Sequence, residues 1–77
     1  MNKLELLNYL SCVPDVGVAD ISASLGVHRA TASMALLRLS RQGLARRFRY
    51  DDTPELRYRI SDRGMARLDY LLNAPAQ

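Results

Sequence analysis

Residues 19–43 read ADISASLGVHRATASMALLRLSRQG, and the spacing of their apolar side chains decides the fold. Ile21 and Leu25 stand four apart on one helical face, and Gly26 follows where a helix ends in a left-handed residue. Val27 is an apolar anchor. Ala32, Leu36 and Leu39 then recur on one face of a second helix, with polar residues between them, until Gly43 stops it. The spacing predicts one helix over 19–25 and another over 28–42. The link between them is too short for anything but a sharp turn, so the two must cross at a large angle, as a helix-turn-helix.

N-terminal to this pair, Leu4, Leu7 and Leu10, joined by Leu6, predict a helix over 2–11, and Asn2 with Glu5 three positions on imitates a capping box. Pro14, Asp15 and Gly17 then break the pattern and leave Val16 and Val18 as a very short strand. After Gly43 the period becomes two. Phe48 and Tyr50 alternate with Arg47 and Arg49, Asp51 to Pro54 form a turn, and Leu56, Tyr58 and Ile60 alternate with Arg57 and Arg59. This predicts a hairpin over 44–60 with one apolar and one arginine face. Ser61 caps a last helix over 62–73, with Met65, Leu68 and Leu72 on its inner side, and the tail Asn73 to Gln77, which holds Pro75, is expected to fray.

The fold class expected is therefore mainly α with a small β-hairpin (α+β): about four helices plus a two- or three-stranded sheet, forming a single domain over 1–77. A chain of 77 residues holds one small core and buries only about 60% of its unfolded surface. A second copy adding burial is therefore expected. The terminal helices carry more leucine than one small core needs, which points to a homodimer through helices one and four, with Tyr70, Leu71 and Leu6 at the contact. Leu37, on the flank of its helix, either closes the core against the hairpin or joins such a contact.

Net charge is +3, and the positive side is ten Arg and one Lys. Arg29, Arg38, Arg41, Arg46, Arg47 and Arg49 lie between His28 and Tyr50 without one acidic residue, the footprint of a polyanionic partner. The lone Cys12 forms no internal disulfide, and no His or Cys stands at metal-ligand spacing. The start has neither a leader pattern nor a membrane span, so a cytoplasmic location is expected, with no membrane partner. An enzyme is not expected, for want of a nucleophile with its base, a phosphate loop or metal ligands. No cofactor and no small-molecule ligand are implied.

The residues also resemble a known family. The stretch Ile21-Ser22, Leu25-Gly26-Val27, His28, Thr31-Ala32-Ser33, then Leu36, Leu39, Gly43 and Leu44, closing with Tyr58-Arg59-Ile60-Ser61-Asp62-Arg63-Gly64, is similar to winged helix-turn-helix regulators of the MarR-like and related kinds. The likeness covers nearly the whole chain. It departs at Ser22, where the pattern has alanine, at His28, where the cap is serine or threonine, and at Met34 and Leu37, where polar or basic residues are usual.

The resemblance implies sequence-specific binding of double-stranded DNA by a small prokaryotic or viral transcriptional regulator. Its third helix enters the major groove and offers His28, Arg29, Ala30, Thr31, Ser33 and Met34. Arg29 can reach guanine or a phosphate, Thr31 and Ser33 can bond phosphate or base, and Ala30 can pack on a thymine methyl. Arg29 is otherwise a solvated helix residue, and Thr31 otherwise packs locally. His28 is expected to cap the helix, with a phosphate contact as the alternative. Arg46, Arg47, Arg49, Arg57 and Arg59 of the wing can straddle the minor groove or its phosphates. They are otherwise the wet face of a hairpin, partly paired with Asp51, Asp52 and Glu55. The alternative reading is a winged-helix module that meets an acidic protein partner without base readout.

Overall fold

The computed structural model describes residues 1–74 and runs α1 (Lys3–Cys12), α2 (Val18–Leu25), α3 (Arg29–Arg41), β1 (Ala45–Arg49), β2 (Leu56–Ile60) and α4 (Asp62–Asn73). Four helices and a two-stranded antiparallel hairpin match the expected architecture. Of the tail, Asn73 is the last residue of α4, and the fraying expected beyond it falls on residues 75–77, outside the described residues.

The core gathers one face of each element. Leu6, Leu7 and Leu10 of α1, Ile21 of α2, Leu36 of α3, Tyr58 of β2 and Leu68 of α4 are all no more than 4% exposed. Each helix start has a local cause. The Asn2 side chain accepts the Glu5 N–H at 2.8 Å, and the Asp20 carboxylate accepts the Gly17 N–H at 2.8 Å. The second bond starts α2 at Val18, so the short strand expected at Val16 and Val18 shrinks to Val16 alone. Val16 exchanges two backbone hydrogen bonds with Tyr58, at 3.0 and 2.7 Å.

The turn between α2 and α3 is closed by Gly26 at φ 65° and by the Ser22 hydroxyl, which donates to the Val27 carbonyl at 2.6 Å. Ser22 thus departs from the alanine of the related pattern with a structural use: it ties down the turn that aims α3.

Two expectations need correction. In the hairpin, the strand register pairs Arg47 with Tyr58, Phe48 with Arg57, and Arg46 with Arg59. Residues directly opposite share a face, so Phe48 lies with arginines and Arg47 with the core-facing Tyr58. The expected division into an apolar and an arginine face fails because each strand alternates but the two alternations meet out of phase. In α4, Met65 and Leu72 are 46% and 59% exposed, and the inner face is Gly64, Leu68 and Leu71.

Ser61 sets that helical phase. Its hydroxyl accepts the Gly64 N–H at 2.9 Å and donates to the Gly43 carbonyl at 2.6 Å. Its own N–H reaches the Leu44 carbonyl at 3.1 Å. Gly64 is thereby laid on the backbone of Leu44: a Cβ there would overlap the Leu44 carbonyl oxygen and stand 2.7 Å from Ile60 Cγ1. Gly64→Ala is expected to cost roughly 1–3 kcal/mol in urea denaturation, the range for overfilling a packed site. An unchanged midpoint would mean that α4 is not seated on Leu44.

Candidate nucleic-acid interface

The inward row of α3 determines what the helix shows to solvent. Ala32, Leu36 and Leu39 are no more than 3% exposed. With about 100° between successive residues, the opposite side carries Ala30, Met34, Leu37 and Arg41, flanked by Arg29 and Ser33 on one side and by Thr31 and Arg38 on the other. His28, Arg29, Ala30, Thr31, Ser33 and Met34 are all exposed, and Leu37 is half-buried beyond them. The six helix residues expected to meet DNA therefore form one solvent-facing surface at the start of α3.

The start of α3 is unlike the other helix starts among the described residues. α1 and α4 have side-chain caps, and α2 has Asp20 in its first turn. α3 has no acidic residue in its first turn, and His28 occupies the N-cap position without a side-chain hydrogen bond. The capping role expected of His28 is thus not made: its backbone is extended, with φ −63° and ψ 148°, and its imidazole is exposed. The free N–H groups and the positive end of the helix dipole are left facing outward, a favourable position for a phosphate.

The five wing arginines divide. Arg46, Arg47, Arg49 and Arg59 are exposed and make no ion pair among the described residues. Arg46 stands directly across the strands from Arg59, and like charges so placed repel. Arg59 also lies over the Phe48 ring, 4.6 Å from its centre. Arg57 is different. Its Nε bonds Asp15 Oδ1 at 2.7 Å, one Nη donates to the Asp15 carbonyl at 3.1 Å, and its remaining contacts go to Asp20 and Glu55 at 3.4 and 3.2 Å. Half-buried and surrounded by three carboxylates, Arg57 ties the wing to the α1–α2 connection.

Tyr50 completes this tether by donating its hydroxyl to Asp15 Oδ2. The Asp15 carboxyl is held below its ordinary value, first by the Tyr50 hydroxyl and then by Arg57. The same carboxylate pushes the Tyr50 phenol up. Asp15, read from sequence only as a turn former, is the residue that positions the wing. Its partner Arg57 lies 42 positions away, so no local pattern reveals the pair. Arg38 and Arg41, already part of the basic run read from sequence, are exposed on later turns of α3 and extend the basic surface beyond the six residues at its start.

The family model of the IclR helix-turn-helix domain matches residues 2–48. No curated protein matches the chain. Among solved structures, the YusO protein from Bacillus subtilis superposes with a TM-score of 0.85 at 18% identity, over 91% of this chain and 50% of that one. A MarR mutant from E. coli complexed with operator DNA gives 0.82 at 16% identity, over 94% and 54%. The AntR antimony-specific transcriptional repressor gives 0.71 at 30% identity, over 90% and 61%. The chain thus spans about half the length of the first two and somewhat more of AntR. Among the described residues, no helix is long and apolar enough to cross a membrane.

The tether has a pH signature. Asp15 is lowered, so its contribution is complete above the ordinary carboxyl range and is lost as pH falls through its lowered value. Tyr50 is raised, so its contribution is complete below the ordinary phenol range and is lost as pH rises through its raised value. Asp15→Asn is expected to lower the melting temperature near neutrality and to flatten its decline at both ends of the pH scale. Curves of the same shape for wild type and variant would show that the tether does not hold the wing.

Proposed function

The chain belongs to the IclR helix-turn-helix domain family, and from that premise we propose that it reads double-stranded DNA by sequence as part of a transcriptional regulator. α3 enters the major groove, and the hairpin lies as a wing along the backbone or the adjacent minor groove. The observation that carries this reading is the acid-free run from His28 to Tyr50, which spans α3 and β1 and leaves Arg29, Arg38, Arg41, Arg46, Arg47 and Arg49 exposed, with the start of α3 uncapped. The complex of the E. coli MarR mutant with operator DNA supports it, since that protein shares the fold. Family and fold are those of regulators and not of enzymes.

Roles follow from position. Arg29, in the first turn of α3, takes a guanine edge or a phosphate, and Thr31 and Ser33 bond phosphate or base. Arg46, Arg47, Arg49 and Arg59 neutralise phosphates along the wing. Arg57 holds the wing in place through Asp15 and does not reach the duplex. The acidic turn at Asp51 and Asp52 keeps the wing tip out of deep insertion, because carboxylates there meet phosphate repulsion.

Two copies binding together would meet at α4, which exposes Met65, Tyr70 and Leu72 at 46%, 63% and 59%. α1 adds little apolar surface to such a contact: Leu6, Leu7 and Leu10 are buried in the core of their own copy. The working location is the cytoplasm, where a prokaryotic chromosome lies.

Selection from a randomised duplex pool at near-physiological salt tests the reading. An enriched motif is expected, and a palindromic one would indicate two copies. Binding without enrichment, or no binding, would refute sequence reading. On the enriched duplex, Arg29→Ala is expected to cost about 1–3 kcal/mol and to relax preference at one position. Arg47→Ala is expected to weaken all duplexes alike and to reduce the salt slope by about 1. Equal losses on every sequence for both variants would refute this division of roles.

A further inference from the structure

The outward face of α3 is unusual in what it can say to a base pair. From Arg29 to Arg41 the helix contains no Asn, Gln, Asp or Glu. Asn and Gln are the side chains that pair bidentately with adenine, and Glu and Asp accept from cytosine. What the helix does offer is arginine for guanine, short hydroxyls that favour no one base, and an apolar stripe. Ala30 and Met34 stand one turn apart on that stripe, both exposed, with Met34 at 47%. Neither belongs to the core cluster or to the apolar residues packed against it. Met34 is thus held outside the core, on the same exposed concavity of α3 as Ala30 and Arg38. Thioether side chains are unbranched and adapt to irregular apolar surfaces.

We infer that Ala30 and Met34 are specificity-determining residues that recognise the C5 methyl groups of thymine in the major groove. This rests on the DNA-reading function proposed above and names the chemistry by which α3 discriminates. The rise between the two residues is about 6 Å, close to the roughly 7 Å of two base steps. They therefore meet thymines two positions apart, while Arg29, on the flank of the same turn, reaches a guanine beside them. Thymine differs from every other base in that groove by its methyl group, so apolar contact alone is enough to select it.

The test uses the 77-residue chain and the duplex enriched from the randomised pool. Each thymine in turn is replaced by deoxyuridine, which keeps the base pair and removes only the methyl. Binding is expected to fall about fourfold at each contacted methyl, the value of one buried CH₂-sized group. In Met34→Ser, an exposed substitution that leaves the core untouched, the deoxyuridine effect is expected to vanish at one of those positions while the other remains. Retained affinity with deoxyuridine at every position, or an enriched motif without thymine, would overturn the inference and leave the DNA-reading function standing. Failure of any duplex to be enriched would overturn both together.

Discussion

The burial of Ala32, Leu36 and Leu39 is the constraint on which the rest depends. These side chains seat α3 in the common core cluster, against α2 and β1, and are no more than 3% exposed. Because helical period converts one buried row into one exposed row, fixing the inside of α3 also fixes which residues face outward. The basic and apolar side chains of its outer face are thereby displayed on a helix whose backbone needs no ordering on contact. Rigid presentation matters in so small a molecule, where each side chain ordered on binding subtracts from a modest affinity.

The distribution of charge separates structure from function. Arg57 is met by three carboxylates, Asp15, Asp20 and Glu55, and by the Asp15 carbonyl, so its positive charge is largely neutralised within the molecule. Arg46 and Arg59 face one another with no acidic partner among the described residues, an arrangement that destabilises the free hairpin. Phosphates of a duplex placed along the wing, as in the proposed function, would relieve that repulsion. The tether through Asp15 thus aims the wing, and Arg46, Arg47, Arg49 and Arg59 are left without an acidic partner among the described residues.

Much of this could be read from the chain. The helix-turn-helix follows from Ile21, Leu25, Gly26, Ala32, Leu36 and Leu39, because helical periodicity is local and strong. Ser61 was legible as a cap for the same reason. The facing of the hairpin was not: alternation specifies each strand separately, and the register that sets Phe48 against Arg57 depends on how both strands leave α3 and enter α4. On the inner face of α4, Leu68 was legible but Gly64 and Leu71 were not, since Met65 and Leu72 satisfy the helical period as well. Only the seating of Gly64 on the Leu44 backbone decides between them. Asp15 looked like a turn residue because its partner is far away in sequence. His28 stood at the expected cap position, yet its side chain makes no capping bond.

The most direct test of the central claim is a residue-by-residue map of amide chemical shifts as the enriched duplex is titrated into the chain. The largest changes should fall on His28 to Met34 of α3, with a second group along β1 at Arg46 to Arg49. The exposed side of α4 around Met65 and Tyr70 should change little at the start of the titration. Changes confined to α4, with α3 silent, would place the nucleic-acid surface on the wrong side of the molecule and contradict the account.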